Sequence, residues 1–265
     1  MRMSRAALAV VFALSGSGAV ADDGPKDEIR IGQTLPYSGP LSGFGIIGRA
    51  QEAYFEKVNA EGGINGRKIK FISLDDAYSP PKTVEQTRKL VEQEEVLVMF
   101  GSLGTATNNA VAELNWKPDL FFVPTSASSI SFLEPGGLEN AVGLISSSIQ
   151  KDTMDAQWVD DAGVKAYFAF MKQYLPNADL SNSNYAAGYH FANLMVKVLK
   201  ACKDDFSREN ILKQATSLHE LSLPLLLPGI TVSTDAEDYL PFQQLRLRRF
   251  DGKSWVGFGE ILDGR

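Results

Sequence analysis

The sequence predicts an α/β fold in which strands and helices alternate and the strands lie parallel. Three observations carry this. Strand-like and helix-like periodicities alternate from Ile29 to Thr107. Val96 to Phe100 is short and wholly apolar, as a strand buried on both faces of a parallel sheet requires. Three strand-like runs end in loops of glycine, proline and hydroxyl residues, and parallel sheets bind ligands at such carboxyl ends.

The elements follow in order. Ile29 to Leu35 predicts a strand, and Gly48 to Asn59 a helix with Ala50, Ala53, Tyr54 and Val58 near helical spacing. Gly62-Gly63 stops that helix. Lys68 to Leu74 alternates as a strand, and Asp75-Asp76 ends it. Neighbouring strand residues face opposite ways, so these two carboxylates would cap a helix or shape a loop rather than share a proton. Ser79 stands as N-cap with Pro80 at the first helical position, and the helix continues to Glu94. Val96 to Phe100 is the next strand, and a further helix starts near Thr105. Leu120 to Val123 and Val142 to Ser148 read as strands, separated by the turn Pro135-Gly136-Gly137. Ala162 to Tyr174 and Asn182 to Lys203 read as helices, the second with Tyr185, Tyr189, Ala192, Val196 and Leu199 as its core stripe. Ser207 to Ser217 is a helix capped by Ser207. Strands are expected around Ile230, from Gln244 to Phe250 and from Trp255 to Ile261, the last two joined at Asp251-Gly252 as a hairpin.

The start of the chain reads as a signal peptide. Arg2 and Arg5 precede the apolar run Ala6 to Leu14, and Ala19-Val20-Ala21 forms a small-residue cleavage site before Asp22. The apolar run is far shorter than the roughly 20 residues a membrane span needs. The net charge of -6 becomes -8 once Arg2 and Arg5 are removed. An acidic chain without a basic cluster argues against nucleic-acid partners and anionic membrane surfaces. Arg246, Arg248 and Arg249 are expected on the solvated face of a strand. Cys202 is the sole cysteine, so an exported chain would hold together by its apolar core alone.

The loops carry the functional expectation. Gly43-Phe44-Gly45-Ile46-Ile47-Gly48 matches a dinucleotide fingerprint, but Pro36 to Ser42 separate it from the strand, so a ligand loop needing small residues is the better reading. Gly101 to Thr107 has hydroxyls and opens a helix, which suits a carboxylate, and has no lysine for a nucleotide phosphate. His190 and His219 show no metal spacing, and His190 is expected at the edge of its helix. Trp116, Trp158 and Trp255 read as core or interface aromatics.

The segment IGQTLPYSGPLSGFG (31–45), together with 59–108, 135–147, 225–234 and 245–255, resembles periplasmic solute-binding proteins of the branched-chain amino acid ABC-importer family. The resemblance implies a periplasmic-binding-protein type I fold, two Rossmann-like lobes with parallel sheets joined by a hinge and closing on ligand like a Venus flytrap. It divides the chain into a signal peptide (1–21), an N-terminal lobe (22–115) and a C-terminal lobe with the final strands (116–265). It implies delivery of a small amphipathic acid to an inner-membrane permease by a periplasmic monomer, without catalytic residues, cofactor or metal.

Carried over to this sequence, the ligand-binding residues are Tyr37, Ser38, Gly43 and Phe44 in the first loop, and Ser102, Gly104 and Thr105 in the carboxylate loop. Thr125 and Ser126 fall in a second-lobe loop. Two departures stand out. Pro124-Thr125-Ser126 has no acid to pair an α-ammonium, which suggests a ligand without an α-amine, such as an aromatic or aliphatic carboxylate. The chain is also short: Asn109 to Asn115 runs almost directly into Trp116-Lys117-Pro118, so both lobes are expected to be incomplete. The readings are therefore a shortened binder, a non-binding deletion remnant, and, more remotely, a secreted α/β hydrolase-type enzyme.

Overall fold

A computed structural model describes residues 28–112, 138–143 and 145–264. The expected signal peptide, the strand at 120–123, and Thr125 and Ser126 lie outside them, as does the lobe boundary expected at 115/116. The elements are β1 (Glu28–Leu35), α1 (Gly45–Ala60), β2 (Lys68–Asp75), α2 (Pro80–Arg88), β3 (Val98–Met99), α3 (Thr105–Ala112), β4 (Ile145–Ser148), α4 (Ala162–Tyr174), α5 (Asn184–Ala201), α6 (Arg208–Ala215), β5 (Gln244–Phe250) and β6 (Trp255–Asp263).

The first sheet is parallel in the order β2-β1-β3. That order places β1 in the middle, so the loops after β1, β2 and β3 emerge side by side at one edge. Ladder pairing shortens β3 to Val98–Met99, although 96–100 is buried throughout as its apolar run requires. The second sheet, β4-β5-β6, is antiparallel, because β4 pairs with the expected β5–β6 hairpin. Ile230 lies in no strand; only an isolated bridge joins Leu221 and Val232 nearby.

Local chemistry explains most element ends. The α1 helix closes in a Schellman motif: Gly63 N–H donates to Val58 O at 2.9 Å and Gly62 N–H to Asn59 O at 3.2 Å. Gly62 and Gly63 have φ of 109° and 77°, which suit glycine. Ser207 caps α6 through the Asn210 N–H, and Asp161 caps α4 through the Val164 N–H. Ser79 occupies the N-cap of α2 with extended backbone but makes no side-chain cap. The continuation of α2 is a π-helical turn over Lys89–Gln93.

One core joins distant segments. Ile29 and Ile31 of β1, Tyr54 and Phe55 of α1, Tyr167 and Phe170 of α4, Tyr189 and Val196 of α5, and Ile211 of α6 belong to a single buried cluster. The rings of Tyr54 and Tyr189 meet edge to face at 5.0 Å, and Asn193 Nδ2 donates to the Tyr54 hydroxyl at 2.8 Å. The helices α4, α5 and α6 therefore pack on the first sheet, although they come late in the chain.

The second sheet is also antiparallel where the resemblance implied parallel sheets in both lobes, and two expectations about single side chains are corrected. His190 is buried within this packing rather than lying at the helix edge, flanked by Phe191 and Phe242. Arg248 turns inward from β5, with its guanidinium 4.5 Å from the Trp255 ring centroid, rather than lying on a solvated face. In both cases partners remote in sequence decide which way the side chain points.

Candidate functional site

The carboxyl end of β1 is organised by amide and hydroxyl side chains. Ser73 donates to Gln33 Oε1 at 2.9 Å, so its single proton is committed, and the Tyr37 hydroxyl must donate to Ser73 Oγ at 2.6 Å. Gln33 Nε2 reaches Gln51 Oε1 at 2.6 Å and the Phe100 and Gly101 carbonyls at 3.1 Å each. This network ties together the ends of β1, β2 and β3. Burial outweighs the Ser73 hydrogen bond and raises the pKa of Tyr37, so it stays a neutral phenol. Its hydroxyl is thus committed internally, and its ring is what faces the loop.

The fingerprint glycines serve this ring. A Cβ on Gly48 would lie 2.0 Å from the Tyr37 hydroxyl, and one on Gly45 2.7 Å from Tyr37 Cδ1. Gly43, by contrast, is exposed with nothing within 4 Å of a built Cβ, and its carbonyl accepts from Asn184 Nδ2 at 3.4 Å. The motif makes room for Tyr37 at the start of α1.

Asp75 holds the first loop. Its carboxylate accepts from the Tyr37 N–H (2.9 Å), the Ser38 N–H (3.1 Å), the Ser38 hydroxyl (2.7 Å), the Ala77 N–H (3.0 Å) and Lys82 Nζ (2.8 Å). Desolvation alone would raise its pKa, but the Lys82 and Ser38 hydrogen bonds prevail and hold it below the ordinary carboxylate range. Asp76 is buried and accepts from the Tyr78 N–H and the Thr83 hydroxyl, and burial raises its pKa. The pair shapes a loop and a helix start, as its adjacency in a strand suggested.

The loop after β3 docks on the same edge. Ser102 Oγ accepts from the Thr34 N–H at 3.2 Å and from the Thr34 hydroxyl at 3.1 Å, which leaves its own proton uncommitted among the described residues. Asn108 Nδ2 holds the Ser102 carbonyl, and the Thr107 hydroxyl holds those of Leu103 and Gly104. With these carbonyls turned to α3, the backbone from Thr105 enters the first turn of the helix, whose initial N–H groups have no intrahelical acceptor. Such a terminus suits an anion.

Leu35, Ile47 and Leu103 form a small buried cluster between the loops, with Tyr37, Phe44 and Tyr78 packed around it. The structure therefore brings together Tyr37, Ser38, Gly43, Phe44, Ser102, Gly104 and the backbone of Thr105. Sequence reasoning missed Tyr78. Its signal was its place: the second residue after Asp75-Asp76, in the loop following a strand of the same sheet. A separate cavity of about 190 Å³ lies between β4, the loop before α5 and the β5–β6 hairpin. There Lys151 already pairs with Asp161 at 2.7 Å.

Loops that converge at the carboxyl edge of a parallel β2-β1-β3 sheet, with aromatic rings beside a helix start, form an α/β edge that suits a small ligand. Residues 28–132 match the model of the periplasmic binding protein family. A Leu/Ile/Val-binding protein homolog of Brucella melitensis is 30% identical over 135 residues, covering 51% of this chain and 32% of the relative. A branched-chain amino acid ABC transporter structure from Thermus thermophilus with bound valine superposes with TM-score 0.67 at 12% identity, over 89% of this chain and 96% of that one. A solute-binding protein from R. palustris in complex with 4-hydroxybenzoate gives 0.66 at 14%, over 90% and 98%. Residues 28–132 thus resemble the periplasmic binding protein family, and the chain shares the type I fold of these solved structures. It spans about a third of the length of the first curated relatives it matches, 29% and 32%. No described helix is long and apolar enough to cross a membrane.

Proposed function

We propose that this protein is the extracytoplasmic solute-binding component of an ABC importer. It binds a small carboxylate, a branched-chain amino acid or a related aliphatic or aromatic acid, and delivers it to an inner-membrane permease. The observation that carries this reading is the convergence of the loops after β1 and β3, with Ser102 against Thr34 and three aromatic rings around Leu35, Ile47 and Leu103. The carboxylate would meet the Ser102 hydroxyl and the start of α3, with Thr105 as a further donor. Its apolar part would lie on Phe44 and Tyr37. Thr125 and Ser126 would complete the site from the second lobe. The chain would act as a periplasmic monomer after export, with no nucleic-acid partner.

Within the described loops, an ammonium has no ready counter-charge. Asp75 is engaged by five hydrogen bonds and Asp76 is buried and engaged by two. A buried ammonium without a partner is costly. This favours an acid without an α-amine, in line with the structural relative that holds 4-hydroxybenzoate. Thermal melts of the purified exported chain with leucine, its keto acid, benzoate and 4-hydroxybenzoate test the reading. A ligand at 100 times its Kd stabilises by about 2.7 kcal/mol, which is about 5–10 °C for a chain of this size. Binding of leucine but not of its keto acid would reject the amine-free ligand.

A second reading, a deletion remnant that no longer binds, is favoured by apolar residues left open on the second sheet. It predicts no ligand-dependent change in the melt.

A further inference from the structure

Tyr78 sits in a backbone conformation that tyrosine disfavours. Ala77 and Tyr78 have φ of 50° and 59°, two consecutive non-glycine residues in the left-handed region. Both are pinned by carboxylates: the Ala77 N–H donates to Asp75 at 3.0 Å and the Tyr78 N–H to Asp76 at 2.9 Å. Ser79 N–H closes the turn on the Asp76 carbonyl at 2.9 Å. Asparagine or glycine would hold this turn with less strain, so the backbone gives no reason for tyrosine. What tyrosine adds is the ring.

The turn sends that ring onto the carboxylate loop. A Cβ built on Gly104 would lie 2.5 Å from Tyr78 Cε2, so the ring occupies the space a side chain at 104 would need. Gly104 itself has φ of 118°. The ring is only partly buried, packs with Tyr37 and Phe44 around Leu35, Ile47 and Leu103, and its hydroxyl has no hydrogen bond among the described residues. One edge is therefore fixed against the β3–α3 loop while the rest stays open beside the expected carboxylate position.

We propose that Tyr78 is a specificity-determining wall that selects planar aromatic carboxylates over branched aliphatic ones; this rests on the ligand-binding reading above. A ring in offset or edge contact with Tyr78 is favoured by quadrupole geometry as well as by area, and an aliphatic chain gains area alone. The unpartnered hydroxyl offers a polar contact to a ring substituent.

The test is calorimetry with benzoate, 4-hydroxybenzoate and 4-methyl-2-oxopentanoate on the purified exported chain and on Tyr78→Asn and Tyr78→Phe. Tyr78→Asn retains the left-handed turn while removing the ring, so it keeps a folded protein to measure. The expected result is at least a tenfold loss of preference for benzoate over the keto acid in Tyr78→Asn. Tyr78→Phe should keep benzoate affinity and lose discrimination for the hydroxylated ligand. An unchanged preference in a cooperatively melting Tyr78→Asn overturns the proposal while leaving the binding reading intact. A parent chain that melts cooperatively and binds neither the three acids nor leucine overturns both. If Tyr78→Asn fails to melt cooperatively, Tyr78→Leu, which also removes the ring, decides: an unchanged preference for benzoate over the keto acid overturns the proposal.

Discussion

His190 illustrates what a single residue takes from its surroundings. Both ring nitrogens are buried without a hydrogen-bond partner among the described residues, beside Phe191 and Phe242. Desolvation lowers its pKa to about 4 from an ordinary 6.5. Between these values the unfolded chain binds a proton that the native state does not, so stability falls as pH drops from about 6.5 to about 4. The full loss is about 3 kcal/mol. Asp76 and Glu52, raised by burial, act in the opposite sense near the foot of that range. Denaturant titrations between pH 4.5 and 7 on the parent and His190→Leu isolate the histidine: the variant should lose most of the slope. Asp75 offers a second prediction. Replacing it with Asn removes the charge that gathers Lys82, Ser38 and Ala77, and should cost about 1–2 kcal/mol in the urea midpoint analysis. Neither residue's environment is written next to it. Ala77 and Lys82 follow Asp75 closely, so its loop role was legible, whereas Tyr37 and Ser38 reach it only through the pairing of β1 with β2. His190 depends on Phe242, far along the chain.

At the scale of elements, close packing of α1 and α5 holds the late helices on the first sheet. A Cβ on Gly188 would stand 2.4 Å from the Ile47 carbonyl oxygen and 2.7 Å from Ala50 Cβ. Gly188→Ala should therefore force the helices apart and destabilise by about 1–3 kcal/mol, less about 1 recovered from helix propensity. Gly43→Ala, with open space around it, should stay within about 0.5 kcal/mol of the parent. Circular-dichroism melts of both variants check the contrast. The boundaries of α4 and β5 agree with the sequence periodicity, because their caps and turn residues are local. The antiparallel joining of β4 to β5 was not legible: its partners lie about a hundred positions apart, and a short run such as Ile145–Ser148 carries no mark of its neighbour. The same holds for the candidate site. Its glycine and hydroxyl loops could be read, whereas the commitment of the Tyr37 and Ser38 hydroxyls to Ser73 and Asp75 depends on strand order.

For the molecule as a whole, the second sheet carries an exposed apolar face. Ile145 lies opposite Arg249, Arg249 opposite Val256, and Leu245 opposite Leu262, so these apolar residues share one face of β4-β5-β6. Ile145, Val256 and Leu262 are each about half exposed, at 54%, 48% and 50%. Such a face promotes dye binding and self-association. Replacing Ile145 and Val256 together by Thr should reduce dye fluorescence and light scattering at high concentration, with folding stability changed by roughly 1 kcal/mol or less. The sequence by itself determined the alternation of strands and helices, the helix stops and the ligand-loop composition, because periodicity, caps and turns act over a few residues. Only the tertiary structure decided that α4, α5 and α6 return to the first sheet, that Arg248 and His190 turn inward, and that Tyr78 reaches Gly104. Those outcomes come from packing between segments remote in the chain, where shape and burial rather than local preference select the partner.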